Sequence, residues 1–179
     1  MKKVILKCVT ALLCALSLAS CSGQGLLAPS VPDLNKQLKL TARVETGNST
    51  FTAEFSRTAV GKWQVIITEP YEVQGISFTY SGGSASAAFG ELSADLLTAD
   101  FAASPPALMI SAIENAVQDA APQITYQQDA LTLKSGDCTV TFQQGTPTGL
   151  ELLGLTAEIT DFAVVGEISA GGVDVVLVE

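Results

Sequence analysis

The 179-residue sequence contains no histidine. That removes Ser-His-Asp and Cys-His catalysis, together with the commonest transition-metal ligand. Basic side chains are also scarce, 9 against 18 acidic ones, for a net charge of −9. Lys2, Lys3 and Lys7 sit in an N-terminal segment without acidic residues, so the remaining chain has 6 basic side chains and a net charge of −12. Such a surface repels nucleic acid and anionic lipid headgroups. Internal repeats and low-complexity segments are missing as well. What is abundant is apolar: 47% of residues, too many for a disordered chain. The length suits one domain with one sizeable core.

The first segment has a charged start, Lys2-Lys3, and an apolar run from Val4 to Leu18 broken by Lys7, Cys8, Thr10, Cys14 and Ser17. It is too short and too interrupted for a stop-transfer helix. It closes on Leu18-Ala19-Ser20-Cys21, which resembles the lipobox of bacterial lipoproteins. That resemblance implies cleavage before Cys21, whose thiol becomes a thioether to diacylglycerol. The competing reading is an ordinary secretory signal with a chance cysteine. An acylated Cys21 leaves Cys138 as the only mature thiol, and no intrachain disulfide. One acyl chain holds weakly, at about 0.8 kcal/mol per buried CH2, so two or three (palmitate-type chains) would make the anchor stable. Residues 1–20 are thus expected as signal peptide, 21–36 as lipidated cysteine and flexible tether, and 37–179 as one domain. Within the tether Ser22 to Pro32 is small, nearly uncharged and Gly/Pro-containing. Asp33 to Lys36 fits one helical turn with Asp33 as N-cap.

From Gln37 the period becomes two. Leu38, Leu40, Ala42 and Val44 alternate with polar residues, and Gly47-Asn48 signals a turn. Phe51, Ala53 and Phe55 share the next apolar phase. Trp63, Val65 and Ile67 share a third, Ile76, Phe78 and Tyr80 a fourth, and Ala85, Ala87 and Phe89 a fifth. Five strands of an antiparallel meander therefore fill residues 37–90. Glu91 to Ala103 has no firm period and has room for a helical turn. Ser104-Pro105-Pro106 starts a helix with Ser104 as cap, and Met109, Ile110, Ile113, Ala116, Val117 and Ala120 form its apolar stripe. Glu114, Gln118 and Asp119 take other positions, and Pro122 ends it. Strands resume at Ile124–Tyr126, Leu131–Leu133, Cys138–Phe142, Leu150–Leu152 and Leu155–Phe162, with a bulge near Asp161. Val173 to Val178 reads either as a last edge strand or as a tail.

No side-chain set points to an enzyme. Glu54, Glu69, Glu72, Glu91, Asp95 and Asp100 fall near turns, but nothing in the sequence pairs any two of them for glycosidase chemistry. Asp129, Asp137, Asp161 and Asp174 are too dispersed for a calcium loop. Ser81-Gly82-Gly83 lies between strands and opens no helix, so it is a turn rather than a phosphate cradle. Cys138 is on the apolar phase of its strand and has no base to activate it. No metal and no cofactor are expected. The aromatics Phe51, Phe55, Trp63, Phe78, Tyr80 and Phe89 share the apolar phase of the meander, where they either fill a core or line a cavity for an apolar ligand. Met109 and Ile113 of the helix stripe would face them.

These residues together resemble a family. Phe51-x-Ala53-x-Phe55 is followed by a strand from Trp63 to Pro70, by Ile76 to Tyr80 running into Gly82-Gly83, by an apolar helix, and by Thr148-Gly149-Leu150-Glu151-Leu152-Leu153. The pattern looks like the lipoprotein carrier and receptor fold (LolA/LolB-like, with LppX-type lipoproteins) over residues 37–165. It implies an α+β fold, a curved antiparallel half-barrel whose concave face is covered here by one main amphipathic helix. It also implies an acyl-chain cavity between the two. The long first helix of the carriers is missing or reduced to Asp33–Lys36, and no arginine matches the one that latches their lid. The leading expectation is a membrane-anchored, non-enzymatic extracytoplasmic lipoprotein binding an acyl chain or other hydrophobic ligand, in lipid or lipoprotein handling. Its candidate ligand residues are Phe51, Phe55, Trp63, Phe78, Tyr80, Phe89, Met109 and Ile113. The alternative is a structural or sensory envelope module that binds another protein and has no cavity.

Overall fold

The structure, a computed structural model, describes residues 33–47, 49–127 and 129–167. The expected signal peptide, Cys21, the tether to Pro32 and the stretch Val173 to Val178 lie outside the described residues. Among the described residues there are eleven strands, ten of them on the alternating runs: β1 Lys36–Thr46, β2 Ser49–Ala59, β3 Lys62–Glu69, β4 Ser77–Ser81, β5 Ser84–Phe89 and, outside those runs, β6 Leu92–Leu96. After the helices come β7 Gln123–Gln127, β8 Ala130–Ser135, β9 Cys138–Gln143, β10 Thr146–Leu152 and β11 Leu155–Glu167. Two helices interrupt them, α1 Thr98–Ala102 and α2 Pro105–Gln118.

All strands join one antiparallel sheet in the order β6-β5-β4-β3-β2-β1-β11-β10-β9-β8-β7. Two meanders, one on each side of the helices in sequence, meet where β1 pairs with β11, and the sheet does not close. Register puts the apolar phases on one face. Leu40, Ala42 and Val44 of β1 oppose Phe55, Ala53 and Phe51 of β2, and Leu40 and Ala42 also oppose Phe162 and Ile159 of β11. One buried cluster results, from Leu38 through Phe55, Trp63 and Val65 to Val140, Phe142 and Ile159. A flat sheet would set β3 and β9 about 24 Å apart, five strand spacings. Yet Trp63 of β3 bonds Glu114, and Cys138 of β9 bonds Ala112, both within one turn of α2. The sheet is therefore curved.

Local chemistry explains where sequence and structure part. No helical turn forms at Asp33–Lys36. Instead the Asp33 carboxylate accepts the Asn35 N–H at 3.0 Å, a side-chain turn that competes with helix, and Leu34 is already buried. Residues 91–103 hold the short α1 but also β6, which pairs with β5 from Phe89–Leu92 to Ala85–Leu96. β6 lacked a legible period because it is an edge strand, exposed for nearly its whole length. Ser104 is the N-cap of α2 by position, but its hydroxyl makes no cap bond and is buried without a partner. The bulge is present: the β1–β11 register shifts between Thr41–Asp161 and Ala42–Ile159.

Candidate functional site

The eight residues expected to line a cavity divide into two groups. Phe55, Trp63, Met109 and Ile113 are buried in the middle of the sheet–helix interface. The small Ala42 and Ala53 of the sheet and Met109 and Ala112 of α2 are all fully buried. Beside them is a crevice of about 60 Å3 lined by Tyr80, Phe101, Ala107 and Ile110. Ligand pockets usually hold about 300–1,000 Å3, so the crevice has room for water-sized occupants only. These four side chains act as core, and truncating a buried Phe or Trp to Ala costs about 3–5 kcal/mol.

Phe51 of β2, Phe78 and Tyr80 of β4 and Phe89 of β5 are less covered. The first three are half-buried, and Phe89 is 54% exposed. Phe101 of α1 stacks on Tyr80 with ring centroids 5.9 Å apart and tilts against Phe78 at the same distance. Sequence reasoning missed Phe101 because it falls in the aperiodic stretch. Beyond these rings the apolar face continues. Ile76, Ala87, Phe89, Leu92 and Ala94 line an open hollow of about 240 Å3, and Leu92 is 75% exposed.

A polar lock sits at the other margin of the core. Arg57 lies on the apolar phase of β2, next to Trp63 in register, and its side chain is buried. Its Nε and Nη2 donate to Glu114 Oε1 and Oε2 of α2, each at 2.9 Å. Glu114 Oε1 also accepts Trp63 Nε1–H at 2.7 Å and the Gly61 N–H at 3.1 Å. Arg57 Nη1 donates to the Leu34 carbonyl at 2.9 Å. Burial alone would push the Glu114 carboxyl up. The hydrogen bonds from Arg57, Trp63 and Gly61, with the Arg57 charge, outweigh burial and hold it below its ordinary value. Glu114, which falls off the apolar stripe of the helix, is nonetheless buried. Arg57 was passed over, although an arginine two residues beyond Phe55 on the apolar phase is itself the signal, since a buried cation requires a partner. Arg57 thus ties strand β2 to helix α2.

Cys138 is buried on β9, with its thiol against the Ala112 carbonyl at 3.7 Å. Burial pushes its pKa up to about 11, the reverse of what a nucleophile needs. Among the described residues, no three His, Cys, Asp or Glu side chains gather to hold a metal ion.

No protein-family model matches the chain, and no curated protein matches it. Solved structures of similar architecture include a conserved protein from Thermus thermophilus, at 10% identity and a TM-score of 0.46, covering 86% of this chain and 96% of that one. A LolA superfamily protein from Nitrosomonas europaea matches at 13% identity and a TM-score of 0.39, covering 76% and 89%. A structure of the CwlD amidase from Clostridioides difficile in complex with the GerS lipoprotein matches at 15% identity and a TM-score of 0.41, covering 74% and 85%.

Proposed function

We propose that the chain is a lipid-anchored, non-enzymatic domain on the extracytoplasmic face of a cell membrane, and that its sheet takes an acyl chain or similar apolar ligand. Cys21 carries the anchor, and α2 covers the concave face of a half-barrel. The reach of a single turn of α2 to both β3 and β9 supports that placement. The observation that carries the ligand reading is the half-open aromatic patch. Phe78 and Tyr80 are half-buried against the buried ring of Phe101, and the apolar face runs on past them to exposed Phe89 and Leu92. An apolar surface left open at the edge of a core is what an apolar ligand can bury. The ligand enters at the β4–β6 end, and the packed middle stays core.

The test is lipid release from the purified chain under denaturing mass spectrometry, with binding of a fluorescent fatty acid as a second measure. Phe89→Ser with Leu92→Ser should abolish both while leaving the fold intact, because neither side chain is core. A chain that carries no lipid and binds no fatty acid sinks the reading.

One feature favours the alternative, a protein-binding envelope module. The edge strand β7, from Gln123 to Gln127, is exposed throughout and has no charge or proline to block pairing. Its Ile124 and Tyr126 are exposed. In that case a photocrosslinker at position 126 recovers an envelope protein, and no lipid is found.

A further inference from the structure

A second hollow, of about 550 Å3, is lined mainly by polar residues, with Phe51 and Pro70 among them. Arg43, Thr52 and Glu69 sit side by side in register on β1, β2 and β3, and Thr50, Tyr71 and Gln74 complete its wall. Its volume is in the usual range for ligand sites. Parts of the wall are held in place. The Thr52 hydroxyl donates to Glu69 Oε2 at 2.8 Å, and the Thr68 hydroxyl donates to the Thr52 carbonyl at 3.1 Å. Glu69 Oε1, the Gln74 amide and the Thr50 hydroxyl have no protein partner among the described residues. Tyr71, on the short 3-10 turn after Pro70, is 87% exposed, so its ring covers no core.

The charges select the ligand class. One guanidinium and one carboxylate line the hollow and cancel. Arg43 is further offset by Glu45, whose carboxylate is 3.4 Å away. A phosphate or nucleotide would meet two carboxylates for one cation. An acyl chain would leave the polar wall unpaired. A sugar ring has an apolar C–H face for an aromatic ring and adjacent hydroxyls for carboxylate, amide and guanidinium. We infer that this hollow binds a neutral saccharide, with Tyr71 stacked on a sugar ring and Glu69, Gln74 and Arg43 bonding its hydroxyls.

Saturation-transfer NMR on the full chain in detergent micelles tests this, with cellobiose and chitobiose as neutral probes and galacturonic acid as the charged comparison. Transfer to ring C–H protons of a neutral disaccharide is expected. Tyr71→Ala and Glu69→Gln should each weaken binding about tenfold, the loss of one stacking or charge-assisted contact. Tyr126→Ala, which removes an exposed ring elsewhere, should bind as the parent does, and galacturonic acid should bind more weakly than the neutral sugars. No transfer to either neutral sugar overturns the inference. So does undiminished binding by Tyr71→Ala, an equal loss in Tyr126→Ala, or a preference for galacturonic acid.

Discussion

Arg57 and Glu114 form a two-pronged ion pair, both bonds 2.9 Å, that joins strand β2 to helix α2 inside the core. Removing one partner alone is more costly than removing both. Glu114→Ala leaves a buried guanidinium without a counter-charge and four N–H donors, two from Arg57 and one each from Trp63 and Gly61, without that acceptor. The expected loss is about 3–5 kcal/mol, read as a lower urea midpoint. The double variant Arg57→Met, Glu114→Leu should recover part of that loss, because no charge is left stranded. A double variant as unstable as the sum of its singles would refute the pairing.

The same carboxylate makes stability depend on pH. Glu114 has a folded pKa below its ordinary 4.5. A depressed carboxylate contributes stability that is fully present above the unfolded pKa and is lost as pH falls through the folded one. The urea midpoint should therefore hold steady down to about pH 4.5 and decline below it. Glu114→Gln should remove part of that decline. Equal acid sensitivity in parent and variant would show that other groups govern it.

Cys138 should resist alkylation. Its thiol is buried and its pKa is raised to about 11 by that burial. At pH 8 iodoacetamide should label it slowly in the folded chain and rapidly in urea, measured on the peptide containing residue 138. Rapid labelling in the fold would mean that the β9–α2 contact opens readily.

Cys21 can be tested independently of the fold. Metabolic labelling with palmitate should mark the chain, and Cys21→Ser should lose the label and leave the membrane fraction. Label retained in Cys21→Ser would exclude the lipobox reading.

Much of the fold was legible because its code is local. Period two exposed the first five strands, since each shows one wet and one dry face, and Ser104-Pro105-Pro106 located the start of α2. The edge strand β6 escaped because Leu92 to Leu96 has little buried to alternate against. The site was less legible. Apolar phase told that Phe55 and Phe89 face the same side of the sheet. It could not tell that Phe55 would be buried and Phe89 left open, because cover comes from residues far along the chain. The Arg57–Glu114 pair joins positions 57 residues apart, and only the misplaced charge on an apolar phase hinted at it.

The pairing of β1 with β11 also has a mechanical side. Lys36, at the start of β1, faces Glu167, at the end of β11, and their side chains meet at 2.8 Å. A force drawing residues 36 and 167 apart acts on adjacent ends of two antiparallel strands. It breaks their ladder bonds in succession, as a zipper opens, instead of loading them together in shear. The zipper runs down the middle of the sheet, so a pull on these two points parts the domain into its two meanders before either meander unravels.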